Sequence, residues 1–148
     1  MAVQGEAGYA GDLPATEAYR LLVSNPTTVL IDVRTQEEWT YVGTPSAETQ
    51  SRNILFIEWQ SRPAMNVDPH FVERLSAMLE AAGIARGSNL FFLCRSGARS
   101  REAAIAMTRA GWPECFNVVD GFEGPLDASR HRGAKGGWKA AGLPWTQT

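Results

Sequence analysis

Cysteine and histidine are scarce in this sequence, and long apolar runs are missing from it. It contains two cysteines, Cys94 and Cys115, and two histidines, at spacings that fit neither a zinc site nor a disulfide framework. Every apolar run is shorter than the roughly 20 residues that a helix needs to cross a bilayer, and the first residues lack the pattern of a secretory signal peptide. We therefore expect no metal, no disulfide, no membrane span, and a reducing, cytoplasmic setting that preserves free thiols.

Strong net charge is also missing, which argues against some classes of partner. The 14 basic and 16 acidic residues leave a formal charge of −2, so we expect neither a nucleic acid nor an anionic membrane to bind. The 148 residues, 44% of them hydrophobic, suffice for one globular core and not for two. One short stretch is locally basic, because it contains Arg95, Arg99 and Arg101. This cluster predicts an anion site there.

The most informative stretch extends from residue 90 to residue 112. Its first four residues, Leu90 to Leu93, are all apolar and predict a strand that is buried on both faces. From Arg99 onward the apolar residues follow helical spacing until a Gly-Trp-Pro sequence ends the pattern. Cys94 therefore lies in a strand-to-helix loop, where unpaired amide hydrogens and the helix dipole favour a thiolate. This is the arrangement of a cysteine nucleophile that handles anions.

Strands and helices alternate along the rest of the chain. The sequence predicts a mobile lead-in over residues 1–12 and two further long helices over residues 16–25 and 69–82. It also predicts a buried strand over residues 28–33, a short helix over residues 35–39 that Thr35 caps, and a last strand over residues 116–119. The connection over residues 56–68 has no clear assignment. Such alternation is typical of an α/β domain with a mostly parallel sheet between helices, and we expect a single domain over residues 13–148.

The loop sequence Cys-Arg-Ser-Gly-Ala-Arg-Ser, which begins at Cys94, resembles the active-site loop of the rhodanese family of sulfurtransferases. The resemblance extends through an Asp-Val-Arg sequence at Asp32–Arg34 and a Gly-Gly-Trp-Lys-Ala-Ala-Gly-Leu-Pro sequence at 136–144. It implies a three-layer α/β fold with helices on both faces of the sheet. It also implies an enzyme without a cofactor that carries a sulfane sulfur as a persulfide on Cys94. The donor would be thiosulfate, another small anionic sulfur donor or a persulfide, and the acceptor would be cyanide, a small thiol or a protein.

Two alternatives stay open beside sulfur transfer. Phosphatases and arsenate reductases of the same fold use a loop that is one residue longer, whereas here four residues separate Cys94 from Arg99. A binding module without catalysis is the second alternative, and the presence of Cys94 inside an intact loop disfavours it.

The resemblance assigns further roles around the nucleophile. The sulfur is expected to lie among the backbone amides of residues 95–99, and Gly97 permits the positive φ that such a loop requires. The Arg95 side chain would attract the anionic substrate, and Arg99 would contact the substrate or pair with Asp32. The loop residues expected to bind substrate are Arg95, Ser96, Gly97, Ala98 and Arg99, with Ser100 supporting the loop backbone.

Two charged residues at the end of the first buried strand, Asp32 and Arg34, are expected to support the site. Parallel strands place their carboxyl ends on one edge of the sheet, so these residues and Cys94 should lie near one another. We expect Arg34 to pair with Glu37 or Glu38, and Asp32 to be held by the loop amides or Arg99, since a buried carboxylate needs partners.

Relative to the family pattern, the sequence carries an insertion over about residues 122–135. It begins directly after the last predicted strand, hence beside the active site, and its second half holds Arg130, His131, Arg132 and Lys135. Phe122 and Leu126 are candidates to anchor it. The insertion is either a solvated surface loop or a basic flap that selects an anionic donor or a protein acceptor.

Overall fold

The structure is a computed structural model, and it describes residues 8–46, 53–61, 63–126, 128–132 and 136–147. The strands are β1 (Gly11–Leu13), β2 (Val29–Asp32), β3 (Thr44–Pro45), β4 (Ile54–Phe56), β5 (Gln60–Ser61), β6 (Asn66–Val67), β7 (Leu90–Leu93), β8 (Cys115–Val118) and β9 (Trp145–Thr146). The helices are α1 (Ala15–Ser24), α2 (Gln36–Tyr41), α3 (Phe71–Ala81), α4 (Ala98–Arg109) and α5 (Gly137–Ala140).

Five strands form a parallel sheet in the order β1-β8-β7-β2-β4. The central strands β2 and β7 are buried along their whole length, as a parallel sheet with both faces covered requires. Their register pairs Asp32 with Leu93, so the polar end of β2 and the cysteine after β7 emerge at the same edge. Two antiparallel pairs, β3 with β9 and β5 with β6, lie outside this sheet.

Alternate residues of the central strands supply two separate cores. One face of the sheet packs against α3 and α4, and its core includes Ile31, Phe92, Leu75, Leu79 and Met107. The opposite face packs against α1 and α5, and its core includes Leu30, Phe91, Ala18, Leu22 and Trp138. These three layers confirm the predicted α/β fold with helices on both faces, and no helix within the described residues is long and apolar enough to cross a membrane.

The predicted helices and strands are present, with ends that shift by one or two residues. The mobility of the lead-in over residues 1–12 stays a prediction, but the structure places part of this segment against the domain. Tyr9 is buried and β1 adds a parallel strand to the edge of β8. A strand of three residues has too short a pattern for a sequence to reveal it, and its backbone pairing stabilises it. Residues 1–7 lie outside the described part of the chain.

Candidate active site

Cys94 lies at the floor of an open pocket, between the end of β7 and the start of α4. Its side chain is 1% exposed, and its Sγ accepts a hydrogen bond of 3.2 Å from the backbone amide of Gly97. Gly97 has a φ of 109°, and a Cβ there would lie 2.3 Å from the carbonyl oxygen of Val119. Only glycine therefore fits this turn, which brings an amide hydrogen to the sulfur and begins α4 directly beneath it.

The loop backbone is held from behind by residues 122–124. The amide of Phe122 donates to the Cys94 carbonyl at 2.8 Å, and the next two amides donate to the Arg95 carbonyl at 3.0 and 3.1 Å. Since the C=O and N–H of a trans peptide point in opposite directions, these bonds direct the Arg95 and Ser96 amide hydrogens away from residues 122–124. Gly121 permits this close approach, because its φ is 69° and a Cβ would lie 2.4 Å from the Arg95 carbonyl oxygen.

Ser100 and Asn117 form a buried polar cluster beside the sulfur. The Ser100 hydroxyl lies 3.2 Å from Cys94 Sγ and donates to Asn117 Oδ1 at 2.5 Å. Asn117 Nδ2 donates to the Gly97 carbonyl at 3.1 Å. Ser100 thus contacts the sulfur and not the loop backbone, which differs from the sequence-based expectation. Asn117 was not anticipated, although an asparagine inside the apolar Phe-Asn-Val-Val strand was the available signal.

Arg99 pairs with Glu38, a partner that neither sequence-based alternative for it included. The two nitrogens of its guanidinium lie 2.7 and 3.0 Å from the two carboxylate oxygens. Burial opposes ionisation of Glu38, but the hydrogen bonds and charge of Arg99 outweigh it, so the pKa of Glu38 lies below its ordinary value. Burial likewise disfavours the Arg99 cation, and Glu38 more than compensates, so the pKa of Arg99 is raised.

Asp32 and Arg34 pair with each other, which corrects the partners expected for both. Their side chains are fully buried and lie 2.7 Å apart, and Arg34 also donates to the Gly43 carbonyl at 2.8 Å. Residues two apart at the end of a strand point to the same side, so these two charges meet without help from the cysteine loop. The guanidinium stacks 4.2 Å from the centre of the Phe122 ring, which ties the start of the insertion to β2.

The pocket above Cys94 has a volume of about 1000 Å³ and a mixed lining. Arg95 is exposed at its mouth and forms no ion pair with any residue that the structure describes. Residues 130–132 of the insertion contribute further basic side chains to the lining, and Tyr41, Met65 and Leu126 contribute apolar surface. Phe122 is fully buried and anchors the insertion, whereas Leu126 is 41% exposed and does not. Lys135 lies outside the described residues.

Cys115 differs from Cys94 in its surroundings. It is buried in the apolar core between the sheet and α4, and its Sγ donates to the Trp112 carbonyl at 3.1 Å. Burial raises the pKa of the Cys115 thiol to about 12. A thiol held neutral in this way is inert near neutral pH, which supports a structural role for it.

Comparisons with known proteins identify what this chain is similar to. The family model of the rhodanese-like domain matches residues 14–127. An uncharacterized protein of Rickettsia rickettsii is 37% identical over 131 residues, which are 88% of this chain and 93% of the relative. The crystal structure of Rv0390 from M. tuberculosis is 43% identical, with a TM-score of 0.83, over 95% of this chain and 99% of that one.

A more distant structure shares the fold. The solution structure of the polysulfide-sulfur transferase homodimer from Wolinella succinogenes has a TM-score of 0.60 and 23% identity, over 97% of this chain and 82% of that one. The match to the family model extends from the start of α1 through β2, the cysteine loop and β8. The chain therefore belongs to the rhodanese-like domain family.

Proposed function

We propose that this protein is a sulfurtransferase that carries a sulfane sulfur as a persulfide on Cys94. One observation supports this most directly. The Cys94 sulfur lies at the floor of an open pocket and accepts the Gly97 amide at the start of α4. Backbone amides and a helix N-terminus stabilise negative charge on such a sulfur, and nucleophilic attack needs that charge.

In the first step, the Cys94 thiolate attacks the outer sulfur of thiosulfate, or that of a persulfide donor, whose thiolate then leaves in the place of sulfite. A bond forms between the two sulfurs while the bond to the sulfite group breaks, and sulfite leaves with that electron pair. The product is Cys94–S–S⁻, and total charge is conserved, because the thiolate and thiosulfate together carry the same charge as the persulfide and sulfite. The loop amides then stabilise the charge on the bound sulfurs, much as an oxyanion hole does for oxygen.

In the second step, a thiophilic acceptor takes the outer sulfur. Cyanide or a thiolate attacks that sulfur, its bond to Cys94 breaks, and the electron pair returns to Cys94 as thiolate. The products are thiocyanate or a new persulfide, and the enzyme regains its starting form. Neither step requires a metal, a cofactor or a separate oxidant.

The arginines of the pocket favour an anionic donor, although Glu37 and Glu123 also line it. Arg95 is exposed at the mouth, and Arg130 and Arg132 line the pocket from the insertion. Arg99 is held by Glu38, so the exposed arginines are the ones left to attract substrate. We assign substrate binding to Arg95 and the loop amides of residues 96–99, and support of the cysteine loop to Asp32, Arg34 and Ser100. We place the protein in a reducing compartment such as the cytoplasm.

The experiment that tests this proposal measures, by mass spectrometry, the mass of the peptide that contains Cys94 after the protein has been exposed to a sulfur donor. Incubation with thiosulfate should add one sulfur atom to the peptide that contains Cys94, and later addition of cyanide should remove it as thiocyanate. Cys94→Ser should abolish both events, because an alcohol is neither ionised near neutral pH nor able to carry a persulfide. Cys115→Ser is the matched control and should keep most of the activity.

Two results would overturn the proposal. The first is the absence of any sulfur adduct or thiocyanate with every donor tried. The second is hydrolysis of an aryl phosphate that exceeds turnover of thiosulfate, which would favour the phosphatase alternative. Equal inactivity of the two cysteine variants would contradict the division into a reactive and a structural thiol.

A further inference from the structure

Asn117 lies in a buried strand, where an asparagine is expected to destabilise the fold. It lies in β8, between β7 and β1, and is 2% exposed. Asparagine is depleted in strands, and a buried amide destabilises a fold unless its polar atoms are hydrogen-bonded. Its neighbours Phe116 and Val118 are apolar, so strand formation alone does not account for it.

Both ends of the Asn117 amide are hydrogen-bonded to groups that adjoin the Cys94 sulfur. Its oxygen accepts from the Ser100 hydroxyl at 2.5 Å, and its nitrogen donates to the Gly97 carbonyl at 3.1 Å. A carbonyl can only accept and an amide nitrogen can only donate, so the Gly97 carbonyl determines which way the Asn117 amide faces. Its oxygen must then point at Ser100.

This orientation determines how Ser100 meets the sulfur. A serine hydroxyl has one hydrogen, and the short bond to Asn117 takes it. At 3.2 Å from Sγ, the hydroxyl oxygen therefore faces Cys94 with a lone pair. It can accept the S–H of a neutral thiol, but it has no hydrogen to offer a thiolate.

The sulfur also meets a hydrogen-bond donor from the loop backbone. The Gly97 amide donates to Sγ at 3.2 Å, and the peptide after it has its carbonyl held by Asn117. Because the two polar groups of a peptide point in opposite directions, this bond directs the Ala98 amide hydrogen away from Asn117. The sulfur thus contacts both an acceptor, the Ser100 hydroxyl, and a donor, the Gly97 amide.

We propose that Asn117 is a positioning residue that makes Ser100 a hydrogen-bond acceptor toward Cys94. The neutral thiol is then held by Ser100, and the ionised sulfur is held by the loop amides alone. Ionisation turns a favourable contact with Ser100 into one between lone pairs, which drives the sulfur toward the amides and the pocket. The inference rests on the proposed function only in taking Cys94 as the reacting thiol.

The test measures the pH dependence of Cys94 alkylation by iodoacetamide, an uncharged probe, with the Cys94 peptide quantified by mass spectrometry. Ser100→Ala removes the acceptor of the S–H group and should lower the pH midpoint of alkylation. The expected shift is roughly half a unit, or about threefold faster alkylation at a pH below the midpoint. A shift to higher pH would show that Ser100 donates to the sulfur, and it would overturn the proposal.

Substitutions at Asn117 test whether this residue sets the direction of the hydroxyl. Asn117→Leu removes the acceptor, so Ser100 becomes free to donate to the thiolate, and Ser100→Ala in that background should raise the midpoint instead. Asn117→Asp keeps an acceptor, so Ser100→Ala should lower the midpoint there as it does in the native protein. The same sign in all three backgrounds would overturn the role of Asn117.

Thr108→Val is the matched control for lost stability. Thr108 lies on α4 like Ser100, is buried, and its hydroxyl donates to the Ala104 carbonyl. This variant should lower the melting temperature and leave the alkylation midpoint unchanged, and a comparable shift of the midpoint would overturn the proposal. Should Asn117→Leu fail to fold, the sign of the Ser100→Ala shift still decides whether Ser100 accepts from the thiol, and the Asn117→Asp background still tests Asn117, because a change of sign there would overturn its role. Alkylation needs no sulfur transfer, so the result is independent of the persulfide experiment.

Discussion

Cys94 and Cys115 are equally buried as residues, yet their surroundings give them different chemistry. Cys94 is reached by a backbone amide and faces a pocket, whereas Cys115 lies among apolar side chains and has a pKa raised to about 12. Solvent exposure alone would not separate them, since both are at most 1% exposed. What separates them is the bonding of the sulfur: Cys94 Sγ accepts from the Gly97 amide, whereas Cys115 Sγ donates to the Trp112 carbonyl.

Arg95 provides a prediction at the scale of one residue. Arg95→Ala should raise the KM for thiosulfate with little change in kcat. The expected loss is about 1–2 kcal/mol, because a charge-assisted contact to the substrate is removed. The effect should diminish as salt is added, since exposed charges are screened. Arg109→Gln is a control, because this exposed arginine lies at the other end of α4. An unchanged KM at low salt would remove Arg95 from the substrate site.

At the scale of elements, the carboxyl ends of three neighbouring parallel strands converge on the site. β2 contributes the Asp32–Arg34 pair, β7 leads to Cys94, and the turn after β8 leads to residues 121–124, which hold the loop. Parallel strands bring such ends to one edge. The insertion starts at this edge, with Phe122 under the Arg34 guanidinium, and returns to the pocket at residues 130–132.

The basic residues of the insertion carry the second prediction. The double substitution Arg130→Gln and Arg132→Gln should lower kcat/KM for thiosulfate several-fold, because two charges that line the pocket are lost. Transfer of the persulfide to an uncharged thiol should change less. Arg132 also donates to the Gly124 carbonyl, so the melting temperature is measured alongside to separate binding from stability. Identical kinetics with every donor and acceptor would leave the insertion as a surface loop.

At the scale of the whole molecule, an ion pair and a side-chain hydrogen bond connect elements that the sheet itself does not join. Arg99 at the start of α4 holds Glu38 of α2, and Glu38 also completes a capping box with Thr35. Arg34 connects β2 to the Gly43 carbonyl beside β3. The first of these contacts holds α2, whose residues line the pocket, against the start of α4.

The Glu38 pair makes a prediction about stability and pH. Glu38→Gln should reduce the free energy of unfolding near pH 7 by about 1–3 kcal/mol, because a charged hydrogen bond to Arg99 is lost. The folded-state pKa of Glu38 is below its ordinary value of 4.5, so this stabilisation is present above that value. It is lost as the pH falls through the lower, folded pKa. The gap between the native protein and the variant should therefore narrow in acid.

Denaturation in urea at several pH values measures this gap. Glu37→Gln is the matched control, since Glu37 is the exposed neighbour on the same helix, and it should change stability by less than about 0.5 kcal/mol. A gap of constant size from neutral pH to pH 3 would contradict the role assigned to the Arg99–Glu38 pair.

The sequence by itself determined the fold class and the position of Cys94 in a strand-to-helix loop. Both are local properties: four apolar residues predict a buried strand, the following spacing predicts a helix, and the loop between them must present Cys94 at the edge of the sheet. The left-handed conformation of Gly97 could also be predicted, because a tight loop needs a positive φ that glycine adopts without strain. Such features need no knowledge of what lies across the sheet.

Tertiary structure alone decided which charged and polar groups meet. Arg99 could have paired with Asp32. In the structure Asp32 already forms an ion pair with Arg34, and Glu38 of α2 lies close enough to pair with Arg99. Asn117 is 17 residues from Ser100 along the chain, and only the packing of α4 on β8 brings them together. The partners of long side chains depend on distance and burial in the packed fold, so the spacing of residues in the sequence does not predict them.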